Sequence, residues 1–134
     1  MFPIEFIFPG PPLSLQSKNK ARKRNYKAMI AREATNVLPV DFVATNDEVE
    51  IIITYYYETQ SGDVDNIIKP IQDSLNEIIY VDDAQVVDTR SRRKDINGSY
   101  KIRSVSAKIL EGFSQGTDFI HVKVQKFINN QELD

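Results

Sequence analysis

The sequence predicts one domain of the α/β or α+β class, with a mixed β-sheet flanked by helices, over residues 1–134. Apolar and polar residues alternate in several short runs, as they do in the strands of a half-buried sheet. Between these runs apolar residues recur every three or four positions, which is typical of amphipathic helices. A chain of 134 residues with 41% hydrophobic content is long enough to form one modest core.

The first half of the chain predicts a strand, a basic connection, a helix and a second strand. Residues 3–8 alternate, and the prolines and glycine at 9–12 end that strand. Residues 13–25 are polar and basic and predict a loop or arm. Over residues 26–37 apolar side chains repeat at helical spacing until Pro39 stops the helix. Residues 48–57 are rich in β-branched and aromatic side chains, as buried strands are.

The second half predicts a helix, a strand, another helix and a final strand. Because Pro70 fits only a first turn, the first of these helices either starts near Asn66 or Ile67 or is kinked at the proline, and it extends to about Tyr80. Residues 85–93 alternate as a strand with one charged face, and a turn follows at 94–98. Residues from 100 onwards fit a helix that ends within 112–116, and residues 118–127 alternate again.

Composition excludes several kinds of site. The chain has no cysteine, so disulfides and thiolate metal sites are impossible, and a single histidine, His121, rules out clustered-histidine zinc chemistry. We expect His121 to lie at the surface or on a sheet face rather than to bind a metal. No apolar run approaches the roughly 20 residues of a membrane span, and Pro3, Glu5 and Pro9 interrupt any signal-peptide pattern. The expectation is therefore a cytoplasmic protein.

Carboxylates surround the central predicted helix. Asp63 and Asp65 alternate just before it, Lys69 follows Asp65 by four positions, and Asp82 and Asp83 come after it. A helix that folds back on its strands would bring Asp83 to the first two aspartates. Oxygen ligands without histidine or cysteine suit Mg²⁺ or Mn²⁺, and a neighbouring lysine can stabilise charge on a phosphate. The alternative is structural, with the aspartates as turn or cap residues and Lys69 paired to Asp65.

Basic residues are concentrated in two clusters, although the net charge of the chain is −2. The first cluster comprises Lys18, Lys20, Arg22, Lys23, Arg24 and Lys27. The second cluster comprises Arg90, Arg92, Arg93 and Lys94. In an arbitrary protein the first cluster would be read as a solvated charge run. Beside a carboxylate motif that can bind a metal, it favours an arm that binds nucleic-acid phosphates, and the arginines of the second cluster could contact DNA backbones as well.

The central segment resembles a known family. The pattern D-x-D-N-x-x-K-P, then a short amphipathic helix, then D-D-x-Q-V, reads here as DVDNIIKP, QDSLNEIIYV and DDAQVVD. It is similar to the RusA family of Holliday junction resolvases. The opening segment IEFIFPGPPLSLQSKNK also resembles the first strand and proline turn of that family. The resemblance covers most of residues 4–94.

The resemblance implies a set of site residues. Asp63, Asp65 and Asp83 would be the metal-binding catalytic carboxylates, Lys69 the catalytic lysine, and Asp82 an adjacent candidate metal ligand. It also implies a RusA-like fold and a homodimer that binds four-way DNA junctions. Such a dimer would cut symmetrically with Mg²⁺, for which Mn²⁺ is a possible substitute, in DNA recombination and repair. The expected protein is a bacterial or phage-encoded endodeoxyribonuclease.

Two other functions remain open from the sequence. One is a module that binds branched DNA without cutting it, which the presence of every acidic motif position and of the lysine disfavours. The other is a nuclease that acts on different branched substrates, such as flaps, replication forks or RNA.

Overall fold

The computed structural model describes residues 2–13, 19–58, 67–97 and 106–128, and these form an α+β fold with a mixed sheet. Four strands and three helices occur in these ranges. In chain order they are β1 (Ile4–Pro9), α1 (Lys20–Asn36), β2 (Val49–Tyr57), α2 (Ile68–Leu75), β3 (Val86–Asp95), α3 (Ala107–Gln115) and β4 (Phe119–Lys126). A 3₁₀ turn, Asp83–Gln85, precedes β3. None of the helices in the described ranges has the length and apolar character needed to cross a membrane.

The sheet has the strand order β1-β4-β2-β3. β2 and β3 are parallel, whereas β4 is antiparallel to both β1 and β2. A parallel pair needs a crossover connection, and α2 lies in the connection between β2 and β3. This arrangement confirms the predicted mixed sheet with flanking helices.

The two faces of the sheet are covered differently. The face that carries α1 and α2 buries the larger core, which includes Phe6, Phe8, Ile30, Ile51, Ile53, Ile71, Leu75 and Val122. On the other face, Ile7, Tyr56 and Phe119 pack with Phe113 of α3. Gly112 lets α3 approach closely, because a Cβ atom there would lie 2.3 Å from Phe119 Cε2. Beyond α3 this second face is largely polar.

The predicted arm is wrong for residues 20–25, because α1 begins at Lys20 rather than at Tyr26. The side chain of Asn19 caps the helix by accepting a hydrogen bond from the Arg22 amide at 3.1 Å. Residues 20–24 are all alanine, lysine or arginine, which are strong helix formers even without an apolar stripe. Most of the first basic cluster is therefore helical, and Lys18 lies outside the described residues.

The end of α2 also differs from the prediction, at Leu75 instead of about Tyr80. Asn76 is extended with ψ 133°, and Glu77 adopts a left-handed φ of 66°. The chain then folds back in a turn, and the amide of Ile79 donates to the Leu75 carbonyl at 3.1 Å. Ile79 lies in this turn and Tyr80 follows it, and both side chains are fully buried. The apolar spacing therefore continues beyond Leu75 because these residues are buried, although they are not helical. The late start is confirmed, since α2 begins at Ile68 and has Pro70 in its first turn.

Smaller differences concern the ends of β3 and α3. β3 extends to Asp95, so residues 94 and 95 are strand rather than turn. Asn97 lies in the predicted turn, whereas Gly98 is outside the described residues. The side chain of Ser106 caps α3 by accepting from the Ile109 amide, and Gly116 with φ 72° ends it. Residues 100–105 of the predicted helix also lie outside the described residues.

Candidate active site

Lys69 lies in the first turn of α2 with its side chain 75% exposed. Its Nζ atom is 3.7 Å from Asp73 Oδ2, one helical turn further on. The same oxygen accepts a hydrogen bond from Lys27 Nζ of α1 at 3.3 Å. The Asp73 carboxylate therefore holds one lysine from each of two neighbouring helices. Asp65, the predicted partner of Lys69, lies outside the described residues, and so does Asp63.

The 3₁₀ turn places the second pair of aspartates, and Gln85 builds that turn. Asp82 Oδ1 accepts from the Ala84 amide at 2.9 Å, and Gln85 Oε1 accepts from the Asp82 amide at 2.9 Å, which forms a capping box. Gln85 Nε2 also donates to the Thr45 carbonyl at 2.7 Å and so ties the turn to the segment before β2. The hydrogen bond that the Ala84 amide donates to Asp82 lowers the pKa of Asp82.

The structure brings Asp83 towards the helix that carries Lys69. Asp83 is exposed at the start of the 3₁₀ turn, and this turn contacts α2. The hydroxyl of Tyr80, between the two elements in sequence, donates to the Gln72 carbonyl of α2 at 2.7 Å. Burial raises the pKa of Tyr80, and the charges of Asp83 and Asp73 raise it further. The negative charges of Asp83 and Asp73 therefore both affect the pKa of the Tyr80 hydroxyl, which is hydrogen-bonded to α2.

The predicted metal site can be tested only for its described members. Residues 67–97, together with the other described ranges, contain no group of three or more aspartates, glutamates or histidines placed to hold a metal. Asp83 forms no ion pair with a described residue, so its carboxylate fits a hard cation such as Mg²⁺. Asp82 has one oxygen engaged in capping. The metal set of Asp63, Asp65, Asp83 and Asp82 stays a prediction.

His121 lies away from these residues, on the sheet face opposite α1 and α2. It is buried in β4, and its Nε2 atom is 3.0 Å from Glu5 Oε1 of β1. Burial lowers the pKa of His121, and Lys123 and Arg92 lower it further, while Glu5 partly offsets the change. The expectation of a sheet-face histidine is confirmed.

The basic residues do not form one surface. Lys20, Lys23, Arg24 and Lys27 line a shallow cavity along α1, on the side of the sheet that carries Lys69, and Arg22 is exposed nearby on the same helix.

Arg90 and Arg92 alternate onto the other face of the sheet. The Nε atom of Arg92 donates to Thr54 Oγ1 at 2.9 Å, and Arg90 Nε lies 3.8 Å from Asp88 Oδ2. Arg93 pairs in register with Tyr55 and points to the face of α1 and α2. The second cluster is therefore divided between the two faces of the sheet, and of its three arginines only Arg93 faces the side that carries α1.

Two residues of this region were given no role of their own from the sequence, although Gln85 is the glutamine of the D-D-x-Q-V pattern. Asp73 follows Lys69 by four positions, a spacing at which opposite charges meet on a helix. Gln85 follows Asp82 by three positions, which is the spacing of a capping box. Both signals are present in the sequence and identify these residues as supports for Lys69 and for Asp83.

Comparison with curated proteins found no match for this chain. The model of a family described as endodeoxyribonuclease RusA matches residues 12–104. The matched segment covers more than half of the chain and contains α1, β2, α2, the 3₁₀ turn and β3, with Lys69 and Asp83 among its residues. On this match the chain belongs to the RusA family of endodeoxyribonucleases.

Proposed function

We propose that this chain is a Mg²⁺-dependent endodeoxyribonuclease that resolves four-way DNA junctions by paired, symmetric nicks, in recombination and repair. The family match supports a nuclease of branched DNA. The observation that supports the proposal within the chain is that the 3₁₀ turn bearing Asp83 contacts α2, the helix that bears Lys69, and that α2 lies beside the basic helix α1.

Asp63, Asp65 and Asp83 would hold the metal, which supplies an activated water and polarises the scissile phosphate. Lys69 would stabilise the negative charge that develops on the phosphate or the leaving oxygen. Asp73 keeps the ammonium group of Lys69 close to α2 without neutralising it, because the separation of 3.7 Å is long for a charge-assisted hydrogen bond. The cations of α1 would contact the DNA backbone, and such contacts carry little sequence information.

A homodimer fits this substrate. A four-way junction has two equivalent strands to cut, and a two-fold dimer presents two identical sites in matching orientation. Each subunit would then make one of the two nicks.

Cleavage assays on four-way junctions, flaps, forks and linear duplexes of matched sequence test the proposal, with and without Mg²⁺. We expect paired nicks in the four-way junction only, and only with Mg²⁺ or Mn²⁺. Binding without cleavage would support a non-cleaving module, and preference for a flap, fork or RNA substrate would support a different branched-substrate nuclease. Sedimentation velocity of the free protein tests the dimer, and a monomer that cuts both strands equally well would contradict it.

A further inference from the structure

A cavity of about 170 Å³ lies between α1 and α2, next to Lys69. Leu13 and Pro70 form apolar walls. The polar residues that line it are Lys23, Tyr26, Lys27, Lys69 and Asp73. The volume is well above what a single water requires, so it can accept a group as large as a phosphate.

Tyr26 brings an unused hydrogen-bond donor to this cavity. Its hydroxyl oxygen is buried, and no described residue accepts a hydrogen bond from it. The ring packs edge-on against Phe8 at 6.0 Å between centroids, which fixes its direction. Burial raises the pKa of Tyr26 to about 12, although the nearby Leu13 backbone partly offsets the rise, so the group is a neutral donor at physiological pH. A buried donor left unpaired destabilises a protein by about 1–3 kcal/mol, so phenylalanine would suit a purely structural role better.

The charge around the cavity is positive. Among the described residues that line it, three lysines face one carboxylate, which gives them an excess of two positive charges. Asp73 contacts Lys27 and Lys69 at 3.3 and 3.7 Å, and each ammonium group has three donors, so capacity remains for another acceptor. The apolar walls exclude part of the water, which strengthens the attraction of these cations for an anion.

We propose that this cavity binds one phosphate group of the nucleic-acid backbone, distinct from the phosphate that is cut, through the Tyr26 hydroxyl, Lys23 and Lys27. The proposal rests on the proposed function, because it takes the phosphate from the DNA substrate. Lys20 and Arg24 continue the basic row from the cavity along α1, so a strand anchored here has a path over the helix. A backbone phosphate held in the cavity beside α2 would fix the distance between that nucleic-acid strand and Lys69. The scissile phosphate would then be positioned correctly relative to Lys69.

Tyr26→Phe tests the site because it removes only the hydroxyl. We expect a nearly unchanged melting temperature, because no described residue accepts a hydrogen bond from the removed hydroxyl. Affinity for a four-way junction should fall about tenfold, the loss expected for one hydrogen bond to a charged group. Tyr56→Phe is the matched control, because Tyr56 is buried on the opposite face of the sheet, and its junction affinity should equal that of the wild type. Wild-type affinity for Tyr26→Phe would overturn the proposal.

Titration with inorganic phosphate is a second test of the cavity, and its result does not depend on DNA cleavage. In NMR titrations with phosphate we expect saturable shifts of the Tyr26 ring and of the Lys27 side chain, and none at Lys108 of α3. If junctions are cut but phosphate leaves Tyr26 and Lys27 unshifted, the cavity assignment is overturned while the proposed function stands. If phosphate shifts both groups but Tyr26→Phe binds junctions like the wild type, the cavity binds free anions only and the backbone assignment fails. If no DNA is cut at all, the proposed function fails, and the junction-binding comparison still decides the cavity.

Discussion

Asp73 links the two lysines whose roles differ most. Lys69 belongs to the candidate active site, whereas Lys27 belongs to the basic row of α1, and both contact the same carboxylate oxygen. An exposed pair at i, i+4 contributes only about 0.3–0.5 kcal/mol to stability. The contact with Asp73 therefore contributes too little stability to explain why the chain has a lysine at this position. Its main effect is to direct the ammonium group of Lys69 along α2.

Replacing Lys69 separates the structural and catalytic roles. Lys69→Ala should slow single-turnover cleavage on the order of 10²-fold or more, because a group that stabilises transition-state charge is lost. Melting temperature should stay close to wild type, and junction affinity should fall far less than the cleavage rate, since the main interaction of Lys69 is specific to the transition state. Lys69→Arg should restore part of the rate, because it keeps the charge in a broader group. Lys108→Ala on α3 is the charge-matched control, and a Lys69→Ala rate within a few-fold of it would remove Lys69 from the mechanism.

Substitution of the candidate metal-binding aspartates should abolish DNA cleavage but not junction binding. Asp63→Asn, Asp65→Asn and Asp83→Asn should each abolish cleavage in Mg²⁺ while junction binding persists or tightens, because each would remove a proposed metal ligand and a negative charge near phosphate. Gel shifts and cleavage assays of the same preparations measure both properties. Asp41→Asn, an exposed position in the connection after α1, is the control and should cut normally. Wild-type cleavage by all three variants would place the active site elsewhere.

At the scale of elements, alternation and helical spacing predicted every strand and the order of the elements. The boundaries of α1 and α2 were predicted less well, for physical reasons. The first turns of α1 have no apolar stripe, and their helix depends on the Asn19 cap and on intrinsic propensity. Beyond Leu75 the apolar spacing continues, but the left-handed Glu77 turns the chain and buries Ile79 without a helix. The spacing of apolar residues in the sequence indicates which residues are buried. It therefore cannot reveal a helix that has no apolar stripe, and it cannot distinguish a buried turn from a helix.

The helical conformation of α1 leads to a specific prediction about how its basic residues contribute to DNA binding. Replacing Lys20, Lys23 and Arg24 with glutamine keeps helix propensity and removes three charges. Junction binding should weaken, and the slope of log K against log salt should flatten by up to about 2.7, because roughly 0.9 counterion is released per phosphate contact. Circular dichroism should show unchanged helix content. Lys108→Gln with Lys126→Gln, both remote from α1, is the control pair, and an unchanged slope for the α1 variant would make the helix an ordinary solvated surface.

At the scale of the whole molecule, the sheet separates two environments. One face carries α1, α2 and the candidate active site, and the other carries α3 and a polar row across the strands. In that row Glu5 contacts His121, and Thr54 accepts from Arg92. The strand alternation predicted His121 on a sheet face, but its partner could not be predicted, because Glu5 lies 116 positions away in sequence.

The buried His121 makes stability depend on pH in a predictable direction. Because burial lowers its folded-state pKa below the ordinary 6.5, the unfolded chain binds the proton first as pH falls. The free energy of unfolding should thus be fully maintained above about pH 6.5 and decrease below it, by at most about 1.4 kcal/mol per pH unit, until the lower folded-state pKa is passed. Urea unfolding of wild type and His121→Gln over pH 5–8 measures this, and their difference isolates His121 because the chain has no other histidine. Parallel curves would mean an unshifted histidine. A wild type that gains stability relative to His121→Gln as pH falls would mean that the attraction of Glu5 outweighs burial and that His121 is charged in the fold.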